Sequence, residues 1–486
     1  MAFTEQEEEK MRALLTAYKN AEFVHHLEPA KGHLADLPFV VQDKTGETRK
    51  INVKETLRRE ENPMAGRYWD ETNASPEAAG YYGSLSALRE LPQKLGLGRY
   101  LVTDDRVRRK LDPTDSTRFE DGSPAKLDGS MGQCMWCWNA HYFTSWREGN
   151  CTVEVITFLP VEGKESIYVP AGGISWLNAG VLDRTDLKLC SLISEEERYR
   201  GGFNRVLTDY THLSDDAPYK TMLGMPATVF SLIQAGQYAR KRGEGWEACW
   251  YVARAVIEYT LRIIFGTRDI QADYQANLDA DGLYQGGLGL GVTGVIDWSF
   301  NRAYPFIPTR VGLEKGDGTG IVEYDILQGD GTLIYKAPVP VFFGLVNPFG
   351  HLRTGVRGLL IDKGPDRTLA YVAPSMYAPF DETTLEGLIE TVELPRENGH
   401  IKKYSTYLLC NLPTEVGATV STYYCDRFYN EKPTPGRIYY RVANGVATRG
   451  KNVGIFITNI CFVPSDAISS LTFPLCYFEE DPRLAN

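Results

Sequence analysis

Residues 246–265 read WEACWYVARAVIEYTLRIIF, and they contain the strongest helical pattern in the chain. Large apolar side chains recur there at steps of three or four residues, which is the spacing of one face of a helix. The residues on this face are Trp246, Trp250, Ala253, Ile257, Leu261 and Ile264. The pattern predicts a helix from about Trp246 to Phe265 with one broad buried face.

A shorter helix is predicted just before it, from Thr228 to about Lys241. Thr228 is a candidate N-cap, because a threonine hydroxyl can accept a hydrogen bond from the first turn. The glycine-containing stretch 242–245 would end this helix. After Gly266 the sequence consists of short apolar runs separated by Gly and Pro turns. Two adjoining helices followed by a long β-rich region predict an α+β fold.

The composition excludes several classes of partner. The chain has 486 residues, which predicts two to four domains at about 100–200 residues each. Its net charge of −11 argues against nucleic acid or an anionic membrane as the main partner. No segment approaches the ~18 unbroken apolar residues of a membrane span. The acidic N-terminus has no apolar signal region. We therefore expect a protein that is made in a cytoplasm, is not inserted in a membrane and does not bind nucleic acid.

We divide the chain into three parts. Residues 1–62 form a small N-terminal module, and the charged stretch 58–63 before Met64 serves as a linker. Residues 63–165 form a β-rich middle region with one amphipathic helix near Ser84–Leu95. Residues 166–486 form the C-terminal domain. The predicted architecture is thus a helix and hairpin module, a β-rich middle region and a large C-terminal domain.

The N-terminal module is predicted to contain a helix from Thr4 to about Asn20 and two short strands around a turn at Lys44–Gly46. The helix would be marginal alone, so we expect it to pack on a sister chain or a neighbouring protein. The hairpin resembles the attachment modules near the N-termini of phage tail fibres. This resemblance implies docking to other virion proteins.

No pattern in the sequence predicts a catalytic residue, a metal site or a cofactor. Cys134 and Cys137 form the only C-x-x-C, and no second ligand pair follows at zinc spacing, so we interpret them as core residues. The odd total of nine Cys favours reduced, buried thiols. The glycine-rich stretches 286–291 and 316–320 lack the residues of a phosphate loop or an EF-hand, and we interpret them as turns.

Several motifs occur in an order that resembles the variable proteins of diversity-generating retroelements, in particular those of phages and prophages of gut Bacteroidales, including crAss-like phages. The resemblance covers most of the chain from about Gly66 onward. The motifs are Ala171-Gly-Gly-Ile-Ser-Trp-Leu177, Tyr199-Arg-Gly-Gly202, Leu223-Gly-Met-Pro-Ala-Thr228, Tyr238-Ala-Arg-Lys-Arg-Gly243, Glu258-Tyr259, Phe265-Gly-Thr-Arg268, Tyr284-Gln-Gly-Gly-Leu-Gly289 and Asn347-Pro-Phe-Gly350.

The resemblance implies a C-type-lectin fold of the subtype shared with formylglycine-generating enzymes, with a diversified ligand-binding face near the C-terminus. That face maps onto Arg437 to Phe473. Adenine-directed mutagenesis of an Asn codon never yields Lys, Glu, Gln, Met or Trp, and none of these occurs from Asn452 through Phe478. A buried β segment would exclude most charged residues as well. The pattern is therefore compatible with diversification without requiring it.

Eight residues are predicted to form the ligand-binding surface. They are Tyr439, Arg441, Asn444, Asn452, Phe456, Thr458, Asn459 and Phe462. Tyr, Arg and Phe are typical interface anchors, and Asn and Thr supply adaptable hydrogen bonds. For Phe456 and Phe462, a place in the core is an equally good interpretation.

The sequence as a whole predicts a non-enzymatic phage virion protein of the fibre or receptor-binding type. Its expected partners are a host cell-surface receptor, either polysaccharide or protein, and sister subunits in a homo-oligomer, with a trimer implied by family analogy. Two alternatives remain: a purely structural protein of the head, neck or tail, and a formylglycine-type oxidase. The close cysteine pair of those oxidases is missing, since Cys461 and Cys476 are far apart in sequence. The sugar-binding triplets of calcium-dependent lectins are missing too.

Overall fold

A computed structural model describes residues 38–42, 48–52, 62–201, 223–291, 307–327, 332–434, 436–452 and 454–482. Within these ranges the chain is mostly β-sheet with three α-helices, which confirms a mixed α+β fold. No helix in these ranges has the length and apolarity that a membrane crossing requires.

The helices are α1 (Leu85–Lys94), α2 (Leu232–Arg240) and α3 (Tyr251–Phe265). The strands in chain order are β1 (Pro38–Gln42), β2 (Thr48–Asn52), β3 (Ala65–Asp70), β4 (Gly80–Gly83), β5 (Gly98–Val102), β6 (Arg108–Lys110), β7 (Gln133–Trp138), β8 (His141–Glu148), β9 (Cys151–Thr157), β10 (Ser166–Val169), β11 (Gly172–Ser175), β12 (Val181–Asp183), β13 (Lys188–Cys190), β14 (Trp246–Ala248), β15 (Gly320–Leu327), β16 (Leu333–Phe342), β17 (Leu345–Val346), β18 (Arg353–Lys363), β19 (Thr368–Val372), β20 (Ile389–Glu393), β21 (Gly399–Ser405), β22 (Leu412–Ala418), β23 (Arg427–Tyr429), β24 (Ile438–Ala443), β25 (Thr458–Phe462), β26 (Leu471–Thr472) and β27 (Leu475–Phe478).

All three helices occur where the sequence predicts them, but two begin later. Helix α1 is confirmed with Ser84 as its N-cap, whose hydroxyl accepts from the Ala87 backbone N–H. Helix α2 is capped by Ser231 in a capping box with Gln234, so the predicted start at Thr228 is wrong. Helix α3 begins at Tyr251, because residues 246–248 pair with β27 instead.

Helix α3 is the centre of the molecule. Every residue from Tyr251 to Phe265 is buried, although one buried face was predicted. The helix packs against β3, β11 and β18, so strands from widely separated parts of the sequence contact it. It ends at Gly266, whose φ of 65° is the left-handed conformation that glycine adopts most easily.

The first half of the described chain supplies most strands of two sheets that share one core. A five-stranded sheet has the order β10-β8-β9-β3-β4, and a six-stranded sheet has the order β14-β27-β11-β7-β5-β6. In the second sheet β11 lies between β7 and the C-terminal strand β27. The boundary predicted between residues 165 and 166 therefore falls inside one hydrophobic core.

The second half forms the largest sheet, with nine strands. Its order is β20-β19-β18-β24-β25-β23-β21-β22, and β26 pairs with β18 in parallel. Most of its neighbouring strands are antiparallel, but β23 and β25 are parallel, with Tyr429 opposite Asn459. Three strands of this sheet, β24, β25 and β26, come from the predicted ligand-binding segment 437–473. A C-type-lectin fold is a more specific assignment than the mixed α+β fold that this strand order shows.

The N-terminal module is described only in its hairpin. Strands β1 and β2 pair antiparallel from Pro38 opposite Asn52 to Gln42 opposite Thr48, which confirms the two predicted strands. Neither strand pairs with another described strand. The predicted helix from Thr4 to Asn20 lies outside the described residues.

Candidate functional site

The eight predicted ligand-binding residues lie on β24, on β25 and in the segment between them. Asn452 is exposed, and Asn459 and Phe462 are half-buried. The other five side chains are at most 4% exposed: Tyr439, Arg441, Asn444, Phe456 and Thr458. These five therefore do not contribute to an outer surface of this chain, and the expectation that they are exposed is corrected.

Arg441 is buried because it has a carboxylate partner in the core. Its Nη2 atom donates to Glu258 Oε1 at 2.6 Å and to the Tyr404 hydroxyl at 3.0 Å. Glu258 also accepts from Arg254 at 2.8 Å and from the Asn411 amide at 2.8 Å. Burial raises the pKa of Glu258, but the charges of Arg441 and Arg254 outweigh it and hold that pKa below its ordinary value. The carboxylate is therefore ionised and links α3 to the nine-stranded sheet.

The remaining four buried residues also have partners within the fold. The Phe456 ring lies 5.3 Å from the Tyr424 ring, centre to centre. The Tyr439 hydroxyl accepts from the Thr434 backbone N–H at 2.8 Å, and the Asn444 amide donates to Thr354 Oγ1 at 2.8 Å. The hydroxyl of Thr458 donates to the Phe456 carbonyl at 3.1 Å. These contacts fix the backbone of the predicted segment.

The outward side of the same strands presents a different set of residues. On β25, Thr458 and Ile460 point into the core, whereas Asn459 and Cys461 are half-buried on the other side. On β23, Arg427 and Tyr429 flank the buried Phe428 in the same way. This alternation follows from the two-residue repeat of a strand. A register irregularity between Asn459 and Phe462 then brings Phe462 to the same side of the sheet as Asn459.

Five residues form what we call the arginine–aromatic surface: Arg353, Arg427, Tyr429, Arg449 and Phe462. The guanidinium carbons of Arg427 and Arg449 both lie 5.5 Å from the centre of the Tyr429 ring. The guanidinium carbon of Arg353 lies 5.4 Å from the centre of the Phe462 ring. At these distances each cation interacts favourably with the ring. The surface therefore combines three positive charges with two aromatic rings.

The three arginines of this surface form no ion pair with a carboxylate among the described residues. Arg353 donates instead to Ser470 Oγ at 2.7 Å. Burial lowers the pKa of Arg353, and the nearby charge of Arg449 lowers it further. By contrast, many arginines elsewhere have carboxylate partners, such as Arg310 with Glu195. Positive charge is thus concentrated here without compensation.

Two buried polar atoms near these arginines make no hydrogen bond within the described chain. They are Arg427 Nε and the Tyr440 hydroxyl. The Tyr440 ring lies 6.5 Å from the Phe462 ring, and the charge of Arg353 acts on the Tyr440 hydroxyl. Asp466 also acts on Tyr440, but its Oδ2 atom accepts from the Val463 backbone N–H at 2.8 Å. Both atoms are closed to solvent, so they lie beneath the exposed part of the surface.

Sequence reasoning placed Phe462 on this surface but missed the other four residues. Arg353, Arg427 and Tyr429 lie outside the segment 437–473 and join it through β18 and β23. Arg449 lies inside the segment, in a loop rather than a strand. For Arg449 the signal was present, because arginine is enriched in interfaces. For the others, strand pairing between distant segments gives no local signal.

A second polar site lies where three of the family-like motifs meet. Its pocket is lined by Leu177–Ala179, Pro226, 307–309, Val346, Asn347 and 350–352. The Asn178 amide donates to the Asn347 carbonyl at 3.0 Å, and the Asn347 amide nitrogen lies 2.9 Å from His351 Nδ1. Asn178 Oδ1, Asn347 Oδ1 and His351 Nε2 are buried and have no partner within the described chain. Burial lowers the pKa of His351 to about 3, so the ring is neutral.

The cysteines and glycine-rich stretches agree with their sequence interpretation. Cys134 and Cys137 are buried in β7, and burial raises the pKa of both thiols. All nine cysteines are free thiols. Asp317, within the 316–320 stretch, accepts from the Arg99 backbone N–H at 2.7 Å and so ties a turn to β5. Among the described residues, no group of three or more His, Cys, Asp and Glu side chains could hold a metal ion.

Neither a comparison with protein families nor a comparison with curated proteins gives a match for this chain.

Proposed function

We propose that this chain is a non-enzymatic phage virion protein of the fibre or receptor-binding type, which presents a binding surface to the host cell. The observation that carries the proposal is the arginine–aromatic surface. It contains Arg449 and Phe462 from the segment 437–473, and Asn452 and Asn459 are exposed or half-buried in the same segment. The segment that the resemblance assigns to ligand binding thus supplies part of an unpaired cationic surface.

The packing beneath this surface supports a binding role. Arg441 and Phe456 lie in the same strands and loop as the outward residues, and they are fully buried. A rigid interior keeps the outward side chains in fixed positions, which lowers the entropy cost of binding. Arginine and aromatic residues are the types that contribute most energy to interfaces. The surface is thus suited to hold a ligand without remodelling the fold.

The C-type-lectin-like fold of the formylglycine-generating subtype is part of this proposal. It is supported by the ordered motifs of the sequence, three of which come together around the pocket of Asn178, Asn347 and His351. In this proposal, residues 166–486 present the surface, and residues 1–62 dock to other virion proteins and to sister subunits. A homo-oligomer, a trimer by analogy, would multiply weak contacts with the host.

The proposal is tested by binding of the fluorescently labelled full-length protein to a panel of Bacteroidales strains, read by flow cytometry. We expect labelling of at least one strain. Arg449→Gln combined with Phe462→Ser should lower the labelling at least about tenfold. This factor corresponds to the loss of one charge-assisted hydrogen bond, which contributes about 1.5 kcal/mol. The matched control is Arg367→Gln, because Arg367 is exposed, follows β18 of the same sheet and pairs with Glu393.

Two results would contradict the proposal. A protein that labels no strain at any concentration favours a purely structural role in the head, neck or tail. If the double variant and the Arg367→Gln control lower the labelling equally, the binding surface lies elsewhere on the protein. Thermal melting of each variant shows whether the fold is retained.

A further inference from the structure

The arginine–aromatic surface is positively charged, whereas the chain as a whole is negatively charged. The whole chain has a net charge of −11. Nevertheless Arg353, Arg427 and Arg449 lie together without a carboxylate partner in the described ranges, and Arg353 and Arg449 are close enough to repel each other. Like charges held together in a partly buried place destabilise each other. A bound anion would remove this repulsion.

The donors of this surface suit planar acidic groups. Each guanidinium presents a rigid fork of N–H groups that matches the two oxygens of a carboxylate or two oxygens of a sulfate. Arg353 has one hydrogen bond from Nη1 to Ser470, and Arg427 Nε has none. The chemistry is that of an anion-binding surface rather than a metal-binding one.

The two rings indicate what carries the acidic groups. Tyr429 and Phe462 are half-buried, so part of each ring remains accessible beside a cation. An inorganic anion would gain nothing from these rings, whereas the apolar faces of a sugar ring can pack on them. A surface of alternating cations and rings therefore fits a chain of sugars with acidic substituents.

The number of cations argues against nucleic acid. Duplex DNA carries one charge per ~1.7 Å, and its binding depends on neutralising many phosphates at once. Three arginines neutralise few, and the remaining negative charge of the protein repels such a dense polyanion. An acidic polysaccharide with one charge per sugar carries its charges further apart and is repelled less.

We infer that the arginine–aromatic surface binds an acidic polysaccharide, with Arg353 and Arg449 holding carboxylate or sulfate groups and Tyr429 and Phe462 packing on the sugar rings. This inference rests on the proposed function, since it names the ligand class of the same surface. The two kinds of acidic group share one chemistry, and the experiment separates them.

The test uses the full-length protein and five immobilised probes, with binding read by biolayer interferometry. The probes are polygalacturonate for carboxylate, dextran sulfate for sulfate, neutral dextran, a single-stranded oligonucleotide and a polyglutamate peptide. We expect binding to polygalacturonate or dextran sulfate that weakens at least about tenfold between about 50 and about 500 mM salt, because salt screens exposed charges. Neutral dextran should not bind.

Variants connect the binding to the surface. Arg449→Gln and Arg353→Gln should each weaken binding to the acidic polysaccharide about tenfold or more. Phe462→Ser should weaken it without changing the salt dependence, because it removes packing and no charge. Arg367→Gln should leave it unchanged. Since Arg449 is exposed, its variant remains informative if Arg353→Gln does not fold.

The inference is overturned if the oligonucleotide or polyglutamate binds more tightly than both acidic polysaccharides, or if Arg449→Gln binds them as the parent does. Competition on cells separates it from the proposed function. If cell labelling depends on Arg449 but neither acidic polysaccharide competes with it, the proposed function stands and the inferred ligand class is wrong. If the protein binds an acidic polysaccharide but labels no strain, the inferred ligand class stands and the proposed receptor-binding function fails.

Discussion

Arg441 on β24 and Glu258 on α3 form an ion pair in the core, with Nη2 and Oε1 2.6 Å apart and both side chains fully buried. The two residues are 183 positions apart in sequence. The pair therefore ties the central helix to the sheet that carries the arginine–aromatic surface. Arg254, one helical turn before Glu258, forms a second ion pair with the same carboxylate.

Removing the carboxylate should be costly. In Glu258→Gln, the guanidinium groups of Arg441 and Arg254 remain buried without a counter-charge, and we expect a loss of about 3–5 kcal/mol in the free energy of unfolding. Urea unfolding followed by tryptophan fluorescence measures this loss. The exposed Arg449→Gln serves as control and should change stability by less than about 0.5 kcal/mol. Equal effects of the two substitutions would show that the buried pair does not stabilise the fold.

Gly236 in α2 should not tolerate a side chain. A Cβ atom there would lie 0.9 Å from Nη1 of Arg357, whose guanidinium pairs with the buried Glu247 and Glu382. Gly→Ala inside a helix normally stabilises by about 0.5–1 kcal/mol. Gly236→Ala should instead destabilise by about 3 kcal/mol or more, because it displaces a buried charge from its partners.

The control for Gly236→Ala is Gln237→Ala, at the neighbouring exposed position of the same helix. It should leave the melting temperature unchanged or raise it slightly, since alanine is the best helix former. A melting temperature of Gly236→Ala at or above that of the parent would contradict the close approach of Arg357.

The buried histidine His351 should make stability depend on pH. Its pKa is lowered to about 3 in the folded chain, whereas an exposed histidine titrates near about 6.5. Below pH 6.5 the unfolded chain therefore binds a proton that the folded chain does not. This contribution is fully present above pH 6.5 and is lost as the pH falls, by about 1.4 kcal/mol per pH unit.

The difference in unfolding free energy between the parent and His351→Gln isolates this contribution from other titrating groups. We expect the difference to be largest at pH 7 and to shrink as the pH falls toward 4. Thr448→Ala, at an exposed position without a titratable group, should differ from the parent by the same amount at each pH. A His351→Gln difference that is constant or grows with acid would be inconsistent with a neutral buried ring.

The thiols should react in two classes. Cys151 and Cys461 are half-buried, and the other seven are buried. Burial raises the pKa of both half-buried thiols, so they react slowly but before the rest. A thiol reagent should label at most two sites in the folded protein and nine after unfolding. Cys151→Ser combined with Cys461→Ser should abolish labelling of the folded protein, and labelling of Cys134 or Cys476 before unfolding would contradict their burial.

The sequence predicted the local parts of the fold better than the paired ones. Helix α1 followed from the spacing of its apolar residues, a signal that acts within a few residues. The start of α3 could not be predicted, because residues 246–248 extend the helical spacing yet pair with β27 more than 220 positions later. Ser231 and Thr228 can both cap a helix, and the wrong one was preferred.

For the candidate site, the sequence predicted the segment but not the side of the sheet. Arginine is rarely buried, so Arg441 was expected outside, and only its distant partner Glu258 explains its position. Phe462, for which the surface and the core were equally good interpretations, is half-buried and also packs against the core. Arg353 comes beside Phe462, and Tyr429 comes beside Arg449, through the strand order β18-β24-β25-β23, which periodicity does not reveal.

The alternation along β25 limits how this region can change during evolution. Asn459 and Cys461 can be exchanged for other residues with little effect on the interior, because Thr458 and Ile460 between and beside them supply the packing. Inserting or deleting a single residue would swap the two sets and bury polar groups without partners. Lineages of this protein should therefore differ at outward positions of β25 by substitution, while the length of the strand stays constant.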